Sequence, residues 1–272
     1  EKVRGMHLKR WLTGIIAIHI LVFLLTCQLR LPFYTLLYLA SLVGLIEFYR
    51  MTVPDLPKFV RWSSYFLTFL LFAVIFERQI LLVPVVIVLW AFVPMAYYML
   101  THPAPSQQWT SDIGKAVLGP LYVSIPLTML LHIDRYYPKG SIWIFFLLAV
   151  IFASDTGALY AGKLFGKHKL YEAISPGKTW EGAIGGLLSS LIVAFFFLKI
   201  IALHRLDINI LILAASLSVA GQIGDLSESM LKRNSGVKDS GHILPGHGGI
   251  LDRIDGLLFC IPVLYVYLSF SI

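Results

Sequence analysis

What this chain has least of is charge. Lys, Arg, Asp and Glu make up 14% of its 272 residues, against about 25% in an ordinary soluble domain. Too little polar surface remains to wet a globular particle, which excludes a soluble enzyme. Cysteine is nearly absent as well: Cys27 and Cys260 lie in separate apolar stretches, with no CxxC or Cys/His spacing. That excludes a disulfide framework and a cysteine zinc site. Acidic residues are outnumbered, 15 against 22 Lys and Arg. In a membrane protein such an excess reports topology and anionic headgroups before nucleic acid, so no nucleic-acid partner is expected.

Hydrophobic residues are abundant, at 58%, with a mean hydropathy of +0.79. A bilayer span takes about 20 apolar residues, and nine such runs can be read. They fall near Trp11 to Cys27, Leu31 to Phe48, Trp62 to Phe76, Ile80 to Leu100, Ile113 to Leu131, Ser141 to Leu164, Gly182 to Leu203, Asn209 to Ser227 and Gly249 to Ile272. Continuous runs of this length favour helices over the short alternating strands of a barrel. The expected fold is all-α and polytopic, with about nine transmembrane helices. Residues 1–135 would form an N-terminal membrane region of about five helices. Residues 136–272 would form a catalytic region of about four helices with two motif loops. The first run follows Lys9 and Arg10 and resembles a signal peptide, yet Thr26 is larger than a lipoprotein cleavage site takes before its cysteine. An uncleaved span is the expectation.

Sixteen of the Lys and Arg residues fall on one side of these spans. Six fall on the other: Arg30, Arg78, Arg135, Lys139, Lys199 and Arg205. The positive-inside rule puts the N-terminus in the cytoplasm, the C-terminus outside and both long charged loops on the cytoplasmic face. No solenoid period or inverted repeat is evident.

Five carboxylates sit at or near bilayer depth: Asp155, Asp225, Glu228, Asp252 and Asp255. Intramembrane acids are costly unless they face a cavity, a partner or a metal. On a helix Asp252 and Asp255 are about 60° apart, and Gln222, Asp225, Ser229 and Lys232 form a stripe. Helix capping is the simpler role for a DxxD in a first turn. Between these faces, residues 232–249 pack three cations, two histidines and five glycines into 18 residues. Such a backbone can present N–H groups to an anion. His242 and His247 lack the spacing of a zinc pair.

A second loop, Ile174-Ser175-Pro176-Gly177-Lys178-Thr179-Trp180-Glu181-Gly182, precedes the seventh run. Ser175, Lys178 and Thr179 beside a helix N-terminus suit a phosphate. The alternative is an N-cap with proline at the first helical position and an interfacial Trp180. A P-loop is excluded, because its leading glycine and strand are missing. Clustered carboxylates select Mg²⁺ or a similar hard ion, and Lys and Arg neutralise phosphate oxygens. The pattern suits phosphoryl-type chemistry on a lipid. Pro84, Pro94, Pro120 and Pro126 either kink helices around a cavity or are simply tolerated.

Ser229-x-x-Lys232-Arg233, then Lys238-Asp239, Gly241, Pro245-x-His247-Gly248-Gly249 and Asp252-Arg253-x-Asp255 together resemble the signature of the phosphatidate cytidylyltransferase (CDP-diacylglycerol synthase) family. Asp155 with Ala158-Leu159-Tyr160-x-Gly162-Lys163-x-Phe165-Gly166, and the Ser175 to Gly182 block, are similar to the same family. The resemblance covers roughly the last 120 residues. It implies that CTP and phosphatidate react to give CDP-diacylglycerol and pyrophosphate with Mg²⁺, at one or two divalent sites or with a second cation of another type. It implies a metal site of Asp225, Asp252 and Asp255, with Lys238 and Asp239 also catalytic. Ser175, Lys178, Thr179, Ser229, Lys232, Arg233, His247 and Arg253 would bind substrate phosphates in a polar cavity at the cytoplasmic boundary. A bacterial inner membrane is the expected location, and a homodimer is an open alternative. The rival readings are a CTP-dependent transferase acting on another lipid phosphate or a polyprenol, and an ion-coupled transporter.

Overall fold

The computed structural model describes residues 19–102, 104, 106–241, 243 and 248–271. Among them, eight helices are long and apolar enough to cross a membrane. They are α1 (Leu31–Thr52), α2 (Lys58–Phe76), α3 (Val83–Thr101, extended by the 3₁₀ turn Ile80–Leu82), α4 (Gln107–Tyr136), α5 (Gly140–Phe165), α6 (Trp180–Ile201), α7 (Ile208–Asn234) and α8 (Leu251–Ser271). The chain is an integral membrane protein of helical architecture. Residues 19–26 are also helical, inside the first expected run, of which residues 11–18 lie outside the described residues. The helices overrun several of the apolar stretches that predict them. Thus α4 begins six residues before Ile113, and α7 continues through Lys232 and Arg233 to Asn234.

An element the hydropathy did not predict is a two-stranded antiparallel hairpin, β1 (Lys169–Tyr171) and β2 (Ser175–Thr179), with Lys169 opposite Thr179 and Tyr171 opposite Ser175. The Ser-Pro-Gly-Lys-Thr segment is therefore a strand leading into α6. Its proline stands in β2 and not at the first helical position, while Thr179 is the N-cap, its Oγ1 accepting from the Gly182 N–H at 3.1 Å. A capping side chain of this kind satisfies one of the donors that the first helical turn leaves open.

The packing divides into two compact units, one taking in residues up to His132 together with 239–253, the other residues 133–238 and 254–272. In the first unit, α1, α2 and α4 share buried hydroxyls. Ser41 donates to Ser124 (3.0 Å), Thr68 lies 3.2 Å from Ser124, and the Tyr49 hydroxyl bonds the Ala116 carbonyl and Ser64, both at 2.7 Å. Such bonds hold helices together where burial of apolar surface supplies no driving force. Tyr38 packs edge-on against Phe69 and Phe72, and Phe59 stacks on Tyr97.

In the second unit, α5 and α6 approach through small residues. A Cβ on Gly157 would strike Ser189 and the Gly185 carbonyl, so these backbones close to a distance only glycine permits. Ser190 donates to the Val150 carbonyl (3.2 Å), Ser154 and Ser218 join α5 to α7 (2.8 Å), and Cys260 on α8 donates to Leu217 of α7 (3.1 Å). Both cysteines are unpaired thiols.

Candidate active site

The second unit holds a cavity of about 460 Å³ whose polar lining is Asp155 from α5, Lys163, Lys178 and Thr179 near the hairpin, and Gln222 and Asp225 from α7. Helical spacing on α7 places Gln222 and Asp225 on one face, as the stripe in the sequence predicts. β2 delivers Lys178 to that face, and its Nζ lies 2.7 Å from Asp225 Oδ2. Ser229 donates weakly to Asp225 Oδ1 (3.5 Å), and Gln222 donates to the Ala183 carbonyl (3.2 Å). The charge of Asp225 acts on both Asp155 and Asp255, and Lys232 acts on Asp255. Lys232 itself pairs with the fully buried Glu228 one turn back. Arg233 is exposed and donates to the Ile174 carbonyl of the hairpin turn (3.4 Å). Ser175 is half-buried, and Lys238 is exposed. None of Pro84, Pro94, Pro120 and Pro126 lines this cavity; they belong to the other unit.

Asp155 and Asp225, which line the cavity, offer only carboxylate oxygens, the donor type a hard divalent cation takes, and both act electrostatically on Asp255, which is not part of the lining. Among the described residues no three acidic, histidine or cysteine side chains stand together as a ready-made ligand set. Lys178 occupies the position beside Asp225 that a cation would contest, and an anion would compete with Asp225 for Lys178.

The first unit holds the remaining residues of the signature loop. Asp252 Oδ2 accepts three hydrogen bonds, from the Ser240 N–H (2.9 Å), the Ser240 hydroxyl (2.9 Å) and the Gly249 N–H (2.8 Å). The bond to Gly249 is the capping role, made backward from the first turn of α8. Asp239 and Arg253 are exposed, and His247 and His242 lie outside the described residues. A residue given no role in the sequence reading dominates here. Glu47, in the last turns of α1 and only 1% exposed, accepts from the Ile250 N–H (3.1 Å) and the Leu251 N–H (2.8 Å), and shares with Asp252 the single proton of the Ser240 hydroxyl, 3.2 Å away. Its signal was present in the sequence, as a single carboxylate inside the apolar Leu45-Ile46-Glu47-Phe48. The rule that singled out Asp155 applies equally to it. Asp155, also outside the expected site set, lines the cavity.

The profile of the Cytidylyltransferase family matches residues 8–271. The chain is 36% identical over 264 residues to the phosphatidate cytidylyltransferase of Bacillus subtilis (strain 168), covering 96% of this chain and 97% of that relative. It is 42% identical over 180 residues to the enzyme of the same name from Staphylococcus saprophyticus, covering 65% of this chain and 68% of the relative. The corresponding protein of Staphylococcus haemolyticus is 42% identical over 185 residues, with coverage of 65% and 68%.

Proposed function

Since the chain belongs to the cytidylyltransferase family, we propose that it transfers the cytidylyl group of CTP to the phosphate of phosphatidate, giving CDP-diacylglycerol and pyrophosphate. The observation that carries this reading is the Lys178–Asp225 pair at a cavity among membrane-spanning helices. A phosphatidate oxygen attacks the α-phosphorus of CTP, the bond from that phosphorus to the bridging oxygen breaks, and pyrophosphate leaves. Both reactants are anions, so charge neutralisation and in-line positioning supply most of the catalysis. The nucleophile is already a phosphate oxygen and needs no strong base.

Lys178 is held by the half-exposed Asp225 and can exchange that partner for a substrate phosphate, while Lys232 is fixed in place by the buried Glu228. Ser175, Thr179, Ser229, Arg233, Lys238, His247 and Arg253 are assigned to phosphate binding by their motif positions, and Asp239 to the orientation of Lys238. Asp225 and Asp255, with Asp155, would hold Mg²⁺. When bound, the ion neutralises phosphate oxygens and aligns the leaving group. Asp252 shapes the signature loop through Oδ2, and Asp252→Asn tests its expected part in ion binding.

The excess of Lys and Arg on one set of loops supports a cytoplasmic site in a bacterial inner membrane. CTP then arrives from the cytoplasm while the diacyl tails stay in the bilayer. The test is pyrophosphate release by the detergent-purified protein, with and without phosphatidate and with Mg²⁺ present or chelated. Release that needs lipid and metal together, with CDP-lipid as product, is the expected result. Release supported by a polyprenyl or other lipid phosphate but not by phosphatidate would transfer the reading to that acceptor.

A further inference from the structure

We propose that Glu47 is a positioning residue for this transfer, a clasp on the two ends of the signature loop; as a statement about catalysis it rests on the function proposed above. The described ends of the loop are Ser240 and Gly241 on one side and Gly248 to Leu251 on the other, all within the first unit. One buried carboxylate on α1 meets both ends. Glu47 Oε2 accepts from the Leu251 N–H at the finish and lies 3.2 Å from the Ser240 hydroxyl at the start, whose single proton it shares with Asp252 Oδ2, while Oε1 accepts from Ile250. The partners are about 200 residues away in sequence, at separations of 193 to 204. Every described partner is an uncharged donor. Ile250 and Leu251 lie at the N-terminus of α8, where open N–H groups and the helix dipole favour a negative charge.

The glycines of the signature bear the mark of the same contact. A Cβ on Gly241 or Gly249 would collide with the Glu47 carboxylate. Glu47 alone leaves no room at Gly241, and Glu47 together with the Ser240 hydroxyl leaves none at Gly249, which ties the motif to α1 by sterics as well as by hydrogen bonds. Gly248 has a φ of +78°, which favours glycine, and a Cβ there would meet the Asp252 carboxylate.

The consequence for chemistry runs through Asp252. The Ser240 N–H and hydroxyl and the Gly249 N–H that orient Asp252 Oδ2 belong to the very loop ends that Glu47 holds. An amide at position 47 keeps the shape but places an NH₂ where a second acceptor is required, so a buried backbone N–H is left facing a donor. Aspartate keeps the charge and both acceptors on a stem one methylene shorter.

The experiment compares the intact protein with Glu47→Gln, Glu47→Asp and Ser41→Ala. The last removes another buried hydrogen bond from α1, at Ser124, away from the loop. Steady-state kinetics for CTP, thermal stability and backbone hydrogen exchange are measured on each. Glu47→Gln is expected to lower kcat/KM for CTP roughly tenfold to a hundredfold, with faster exchange confined to residues 240–241 and 248–251. Glu47→Asp should recover part of both effects, and Ser41→Ala should keep wild-type kinetics. Wild-type kinetics and loop exchange in Glu47→Gln would overturn the proposal. So would a kinetic loss matched by Ser41→Ala, or exchange raised evenly through all helices, either of which marks a generic packing role. A wild-type protein that forms no CDP-lipid would sink the function proposed above. The exchange data alone would then decide the clasp.

Discussion

At the scale of single residues, the chemistry depends on which charged groups meet. Asp225 and Lys178 form a half-exposed ion pair, and a pair of that kind contributes little to stability. Its value lies in presenting a cation and a carboxylate to the cavity. Asp225→Asn should reduce turnover by about a hundredfold or more while the thermal transition in detergent stays near that of the wild type; near-normal turnover would remove Asp225 from the catalytic set. Lys178→Met should raise KM for the phosphate-bearing substrates, read from CTP and phosphatidate titrations. Asp252→Asn separates two roles. The amide oxygen can still accept from Gly249 and Ser240, so a stable but inactive variant would point to a charge requirement beyond loop shaping. The types of these residues were legible in the sequence, because a carboxylate inside an apolar run is costly and stands out. Their pairings were not. Lys232 was read as a member of the Asp225 stripe, and its direct ion-pair partner is Glu228, since residues four apart on a helix are neighbours.

At the scale of elements, the spans were legible from continuous apolar length, and the helix ends were not. Polar residues beyond each run, such as Lys232 and Arg233 on α7, remain helical because the backbone ladder continues regardless of hydropathy. The β1–β2 hairpin was not legible either. A five-residue segment containing proline and glycine has little strand propensity of its own, and only its pairing with Lys169 to Tyr171 makes it a strand. Thr179 then serves as the N-cap of α6. Thr179→Ala should cost about 1 kcal/mol of stability, seen as a lower thermal midpoint, whereas Thr179→Ser should hold it. Gly157→Leu should be more damaging, since the added side chain meets Ser189 and the backbone of α6. Overpacking of this kind typically costs about 1–3 kcal/mol, and the expected outcome is poor recovery of folded protein from membranes.

At the scale of the whole molecule, eight spans among the described residues and a family match along nearly the full chain describe a membrane-embedded nucleotidyltransferase. The orientation proposed from the Lys and Arg count makes a further prediction. Residues 167 and 205 flank α6, so they face opposite sides of the bilayer. With Cys27 and Cys260 replaced by serine, Arg205→Cys should react with an impermeant maleimide in intact cells. Lys167→Cys should react only after permeabilisation. The reverse pattern would invert the topology drawn from the Lys and Arg count.

Composition alone determined that the chain lives in a membrane, because 58% hydrophobic residues cannot be buried in a water-soluble particle of this size. Short-range spacing determined that carboxylates on helix ends gather beside two loops rich in cations, since helical period and motif length are local properties. Tertiary structure alone decided that a carboxylate on α1 closes the signature loop and that a strand carries Lys178 to Asp225. Those contacts join residues tens to hundreds of positions apart. Only the packing of helices against one another determines which buried charge finds which donor.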